Sequence, residues 1–271
     1  MSDRAAALLD WYGRHRRDAP WRDTSDPWRI LVSEVMSQQT QVSRVIPKWR
    51  AFLERFPTPG DCAAARRSEV LAMWSGLGYN SRATRLQEAA QLIDEEGWPT
   101  SSEALQALPG VGPYTAAAVA CFAFGEQVPA IDTNLRRVLS RWAGLPLDRG
   151  ALEEYASTAL PEGFAEDWNQ AVMDLAASIC SPREPSCTIC PVAEWCADPT
   201  VYEPPRPQGR FEGSTREARG AVIRVLTAGP ATADEIAERE GIESARIAAA
   251  LEVLEAERLV THAAVGWRIL D

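Results

Sequence analysis

Four cysteines, Cys180, Cys187, Cys190 and Cys196, stand at the spacing C-x6-C-x2-C-x5-C. Four thiolates in so short a stretch, with Pro182, Pro185 and Pro191 between them to turn the chain back on itself, suit the soft ligand cage of a [4Fe–4S] cluster. Zinc is the rival reading, although a structural four-cysteine zinc site ordinarily uses two C-x2-C knuckles and only one is present. Disulfides fit poorly. The opening residues MSDRAAALLD carry two acids and no apolar stretch of signal-peptide length, so the expected compartment is the reducing cytoplasm. Cys62 and Cys121 lie in Ala-rich helical surroundings and read as buried core thiols.

A second group lies upstream. Residues 108–116 read LPGVGPYTA, where Gly110 and Gly112 flank Val111 just before a helix start. Such a turn directs backbone N–H groups outward and can cradle a phosphate without a charged side chain, although a plain turn has the same sequence. Asp132 follows the apolar run Val128–Ile131 and precedes Asn134, Arg136 and Arg137. A carboxylate at the mouth of an apolar segment is a candidate base or cation stabiliser, and Asp132 or Asn134 would equally serve as a helix N-cap.

These residues need elements to hold them. Apolar positions recur at three and four residues, as in Trp28, Leu31, Val32 and Val35 or Leu71, Trp74 and Leu77, so the first 200 residues read as successive helices and the class as all-α. At 271 residues, 46% of them apolar, the chain suffices for one large domain or two, and no apolar run approaches membrane-spanning length. The formal net charge of −10 is the wrong sign for broad nucleic-acid binding, so any DNA contact must be local. The catalytic region is expected over 1–200, with the cysteine loop at 180–196, followed by a Pro-rich linker at 201–213. From 214 to 271 three helical segments and a hairpin turning at Ala264-Val265-Gly266 suggest a winged-helix domain. Its third helix carries Glu243, Glu252, Glu255 and Glu257 against Arg246 and Arg258, an acidic face that repels phosphate.

Taken together, the 108–112 hairpin, the Asp132 segment and the cysteine loop resemble, in order and spacing, the helix-hairpin-helix DNA glycosylases with an iron–sulfur cluster, a group containing endonuclease III and the MutY-type adenine glycosylases. The resemblance covers roughly residues 8–200. Pro20-Trp21-Arg22, the run Ser33–Val42 and Gly76-Leu77-Gly78-Tyr79 look like the adenine branch. It implies the helix-hairpin-helix glycosylase fold and double-stranded DNA with a mismatched or oxidised base pair as partner. A monomer with no membrane association is expected. By resemblance, Glu34 is the general acid, Asp132 the carboxylate under the sugar, Asn134 its orienting partner and Tyr114 a hydrogen-bonding member of the same site. Apolar neighbours Val32, Val35 and Met36 would bury Glu34 and raise its pKa, as an acid requires. Trp21, Arg22 and Gln170 resemble the family's adenine pocket; Gln38, Gln39 and Tyr79 resemble the residues that fill the hole left by a flipped base.

Lyase-competent relatives place a lysine where this chain has Tyr114, and Lys48 is the only lysine, so the expected enzyme is monofunctional. Ser37 and Asn80 depart from the family pattern, where Leu and a second aromatic are usual. Adenine glycosylases of this group typically carry a larger Nudix-like domain that recognises 8-oxoguanine, whereas the 75 residues 197–271 follow Cys196 here. The expected reaction is removal of adenine mispaired with 8-oxoguanine or guanine. Two alternatives stay open: a thymine/uracil glycosylase acting opposite guanine, and a non-catalytic iron–sulfur DNA-binding regulator.

Overall fold

The computed structural model describes residues 1–201 and 209–271. Residues 202–208 of the expected linker lie outside the described residues. The helices run in the order α1 (Asp3–His15), α2 (Pro27–Ser37), α3 (Val42–Arg55), α4 (Pro59–Ala63), α5 (Arg67–Trp74), α6 (Ser81–Glu96), α7 (Ser102–Leu105), α8 (Pro113–Phe124), α9 (Thr133–Ala143), α10 (Arg149–Ala159) and α11 (Ala165–Ser178). After the cysteine loop come α12 (Thr215–Leu226), α13 (Ala233–Glu240), α14 (Ser244–Ala256) and the antiparallel pair β1 (Val260–Ala263) and β2 (Gly266–Ile269). The all-α expectation and the three helices followed by a wing are both observed. Among the described residues no helix is long and apolar enough to cross a membrane.

Chain contacts divide the described residues into two units whose boundaries do not follow sequence order: 1–34, 99–107 and 111–201 form the first, and 35–98, 108–110 and 209–271 the second. The core of the first gathers Leu8 and Tyr12 of α1, Leu135 and Leu139 of α9, Leu152 of α10 and Trp168, Val172 and Leu175 of α11. Helix α8 is buried on every face from Thr115 to Cys121, as its run of alanines and apolar residues requires. Pro113 opens it and Gly125, at φ +70, closes it. Cys62 and Cys121 are buried free thiols, both pushed up to about 12 chiefly by burial.

In the second unit α3 to α6 pack around Phe52, Phe56 and Trp74, with the Phe52 ring edge-on to the other two. The C-terminal part belongs to this unit. Ser214 caps α12, and a capping box of Thr232 and Glu235 opens α13, each cap stabilising its helix by about 1 kcal/mol. Gly266 at φ +111 lets β2 run against Ala231, since a Cβ there would lie 2.7 Å from the Ala231 carbonyl oxygen. Glu252 and Glu255 remain exposed on α14, so the acidic face read from the sequence is solvated.

Candidate active site

The first unit brings four of the expected site residues together. Asp132 ends an extended segment and caps α9: its Oδ1 accepts the Asn134 N–H at 2.9 Å and the Leu135 N–H at 2.7 Å. Its Oδ2 accepts the Asn134 side-chain amide at 2.7 Å. The N-cap reading of Asp132 is met by this geometry, and the capped residue remains half-exposed. The segment before it is held by Asn169, fully buried on α11. The Asn169 Oδ1 accepts the Ala130 N–H at 2.8 Å, and its amide donates to the carbonyls of Val128 and Ala165 at 3.0 and 2.9 Å. A buried amide with its partners supplied rigidifies the segment that carries Asp132.

Glu34, on α2, is 9% exposed. Burial pushes its carboxyl up to about 7; the Tyr114 hydroxyl hydrogen-bonded to it and the Arg22 guanidinium oppose this rise, while the charge of Asp132 adds to it. The Tyr114 hydroxyl is itself held well above its usual range, first by burial and then by Glu34 and Asp132. Thus a carboxyl that keeps its proton near neutral pH sits beside a carboxylate held by three N–H donors.

Arg22 lies on the 3-10 turn Pro20–Asp23 with Trp21. It donates from Nη1 and Nη2 to the two oxygens of Asp174 on α11, each at 2.7 Å. Arg17 adds its backbone N–H at 3.0 Å and its Nε at 2.5 Å. Asp174 is fully buried, and although burial raises its pKa, these donors prevail and hold it below the usual carboxylate range. Gln170, one turn earlier on α11, accepts the Tyr12 hydroxyl at 2.7 Å and donates to Glu166 at 3.2 Å. Arg17, Tyr12 and Asp174 escaped the sequence reading; the four-residue step from Gln170 to Asp174 is the only local hint that they share a face.

The second unit holds the other expected DNA-contacting side chains. Gln39 and Tyr79 adopt left-handed backbone at φ 55 and φ 46, strained values for residues other than glycine. One side chain gathers both segments. Arg82 Nη1 donates to the carbonyls of Val35 and Gln38 at 2.7 and 2.8 Å, and Nη2 to those of Leu77 and Gly78 at 3.0 and 3.1 Å. Its guanidinium also lies over the Tyr79 ring at 5.7 Å, and burial pulls its pKa down to about 10. At the hairpin, Leu108 and Val111 are buried while Gly110 and Gly112 are exposed, so the apolar pair anchors the turn and the glycine backbones face out. Gly110 at φ +77 tolerates no side chain, because a Cβ would lie 2.9 Å from that of Arg85. Lys48 lies against Gly76 in this same unit.

All four loop cysteines line one cavity, together with Arg141, Trp142, Leu175 and Ile179. Arg141, 1% exposed, donates to Cys180 Sγ at 3.1 Å and to the carbonyls of Ser181, Pro182 and Val201 at 2.8, 2.8 and 2.9 Å. Arg137 connects this loop to the residues around Asp132, from its Nη1 to Asn134 Oδ1 at 3.1 Å and from its Nε to the Cys180 carbonyl at 3.0 Å. Among the described residues no three His, Cys, Asp or Glu side chains converge closely enough to grip a single metal ion. The donor set is all sulfur, and Cys196 is pushed up to about 11 by burial and by the three sulfurs facing it.

The family described as HhH-GPD superfamily base excision DNA repair protein matches residues 32–162. An adenine DNA glycosylase of Mycobacterium tuberculosis (strain ATCC 25618 / H37Rv) is 41% identical over 276 residues, covering 96% of this chain and 90% of the relative. The structure of a thermostable thymine-DNA glycosylase superposes with a TM-score of 0.68 at 34% identity, covering 71% of this chain and 93% of that one. A non-covalent endonuclease III–DNA complex, at TM-score 0.62 and 22% identity over 73% of this chain and 97% of that one, shares the fold. The chain belongs to the HhH-GPD superfamily of base excision DNA repair proteins, and within it to the adenine DNA glycosylases.

Proposed function

We propose that this chain hydrolyses the N-glycosidic bond of adenine mispaired with 8-oxoguanine or guanine, without cutting the strand, and that Glu34 and Asp132 carry the chemistry. The observation behind this is the pair itself, a buried Glu34 whose proton persists to about pH 7 beside a capped, half-exposed Asp132. Glu34 donates its proton to adenine N7 as the bond from C1′ to N9 breaks, and the bonding electrons leave with the base. Positive charge then develops at C1′ and the ring oxygen, where the Asp132 carboxylate stabilises it, and water adds to C1′ with loss of a proton. Asn134 orients Asp132, and Tyr114 holds Glu34 through its hydroxyl.

Trp21, Arg22 and Gln170 line the extruded adenine in this reading. Gln38, Gln39 and Tyr79 occupy the space it vacates, and the strained backbones of Gln39 and Tyr79 support the assignment because strain of this kind collects at functional segments. The N–H groups of Gly110, Val111 and Gly112 take one phosphate. Position 114 offers no amine, so no Schiff base forms and the abasic strand stays intact until treated with alkali.

Cys180, Cys187, Cys190 and Cys196 would hold a [4Fe–4S] cluster. Four sulfurs ringing one cavity at the spacing C-x6-C-x2-C-x5-C, with a single C-x2-C knuckle, suit a polynuclear cluster better than zinc. When bound, it supplies a rigid anchor for the 180–196 loop. Purified anaerobically, the protein should be brown and contain about four irons; one zinc and no iron would defeat the assignment.

The likeness to a thymine-DNA glycosylase keeps one rival in play. Single-turnover incubation with duplexes holding A opposite 8-oxoguanine, A opposite G, T opposite G and U opposite G separates the readings after alkali treatment. Cleavage of the first two alone is expected. Cleavage of the T and U strands would establish the rival activity, and no cleavage of any would favour a DNA-binding regulator.

A further inference from the structure

The C-terminal residues have no part in the chemistry above, yet within the second unit they are tied to the elements that carry Tyr79. Helix α5 begins without a side-chain cap of its own. Asp271 provides one from the far end of the chain: Oδ1 accepts the Ser68 N–H at 2.7 Å and Oδ2 the Ser68 hydroxyl at 3.1 Å. Beside it, Arg219 of α12 pairs with both oxygens of Glu257 at 2.6 and 2.5 Å, and the Arg85 guanidinium of α6 lies near enough to that carboxylate to help lower its pKa. The C-terminal part is therefore anchored on α5 and α6, the helices on either side of the loop holding Tyr79.

Its first helix then reaches that loop. Arg216, in the first turn of α12, donates from Nη2 to the Gly209 carbonyl at 2.6 Å, which fixes the guanidinium. From Nη1 it meets the Tyr79 hydroxyl at 3.4 Å. Tyr79 is thus gripped at two points, with Arg82 against its ring and Arg216 at its tip, although its backbone is strained and its side chain 42% exposed. An aromatic ring that must enter a base stack gains from being held in its bound orientation beforehand, because the ordering cost is then met in folding.

We propose that the C-terminal domain braces the DNA-inserting loop, with Arg216 as a positioning residue that acts on duplex DNA through the Tyr79 hydroxyl. This rests on the reading of Tyr79 as the inserted side chain. It also gives the acidic α14 a role in which its repulsion of phosphate is no obstacle, because the domain acts on DNA indirectly, by bracing Tyr79, and not through a recognition helix.

A double-mutant cycle on the full chain tests it, using a duplex with A opposite 8-oxoguanine and 2-aminopurine beside the mispair to report unstacking. Arg216→Ala and Tyr79→Phe should each weaken binding about three- to tenfold and reduce the fluorescence rise, as for loss of one hydrogen bond. The double variant should be no worse than the worse single one. Tyr79→Phe leaves the Arg216 contact to Gly209 in place, and thermal melting checks that each variant is folded. Additive losses, or an Arg216→Ala protein that binds like the parent, would overturn the brace while leaving the inserted tyrosine standing. Tyr79→Ala with unchanged binding would overturn both.

Discussion

The surroundings of Glu34 and the ion cluster around Asp174 lie in the same unit, and both bury a carboxyl group almost completely, yet they reach opposite protonation behaviour. Asp174 receives two arginines and a backbone N–H, and these donors outweigh the cost of burial, so its charge is retained. Glu34 receives one neutral hydroxyl and has Asp132 for a neighbour, so burial prevails and the proton is retained. Burial alone therefore does not make an acid catalyst. The supply of donors decides, and Arg22, whose terminal nitrogens are both engaged by Asp174, is kept from neutralising Glu34 by direct contact.

The largest effect expected from breaking this contrast is on the chemistry. Glu34→Gln should lower the single-turnover rate on adenine by about 100-fold or more, and Asp132→Asn by a similar factor, on the order of 3 kcal/mol of lost transition-state stabilisation. Both proteins should still bind mispaired DNA in gel-shift or anisotropy assays. A Glu34→Gln enzyme with undiminished rate would dismiss Glu34 as the acid.

Asp174→Asn should act on the other side of the comparison, lowering stability by about 3 kcal/mol because buried Arg22 loses its charge partner. Chemical denaturation measures this loss. Should Asp174→Asn instead keep its stability and lose catalysis as severely as Glu34→Gln, the ion cluster would have to be counted as part of the reacting site.

The pH dependences should run in opposite directions. Glu34 has its pKa raised in the folded state, so the native protein binds more protons than the unfolded chain between the ordinary value of 4.5 and about 7. Its contribution to stability is fully present below 4.5 and is lost as pH rises through about 7. Asp174 is depressed, so its contribution is present above the ordinary value of 3.8 and is lost as pH falls through the lower folded value. The single-turnover rate should decline as pH rises through about 7. An alkaline limb absent from pH 6 to 9 would contradict a proton supplied by Glu34.

Tyr114→Phe should have the smallest effect, up to about tenfold in rate for one lost hydrogen bond. Because the Tyr114 hydroxyl lowers the pKa of Glu34, its removal should shift the alkaline limb upward. A downward shift would mean that the hydroxyl does not donate to Glu34.

Local pattern was enough for much of this protein. The cysteine spacing, the Gly110-Val111-Gly112 turn, the apolar neighbours of Glu34 and the cap at Asp132 are each carried within a few residues, where helical periodicity and backbone permissiveness dictate the outcome. The same local rules place α12 to α14 and the wing. What only the tertiary structure decided are the pairings between residues far apart: Arg22 with Asp174, Asn169 with the segment before Asp132, Arg137 with the Cys180 carbonyl, and Asp271 with Ser68. Any arginine in this chain could in principle pair with any of its acids, since charge carries no address along the sequence. Tertiary packing alone brings particular partners into contact, and the pKa of Glu34 follows from its burial and from the neighbours Tyr114, Asp132 and Arg22 that the fold sets around it.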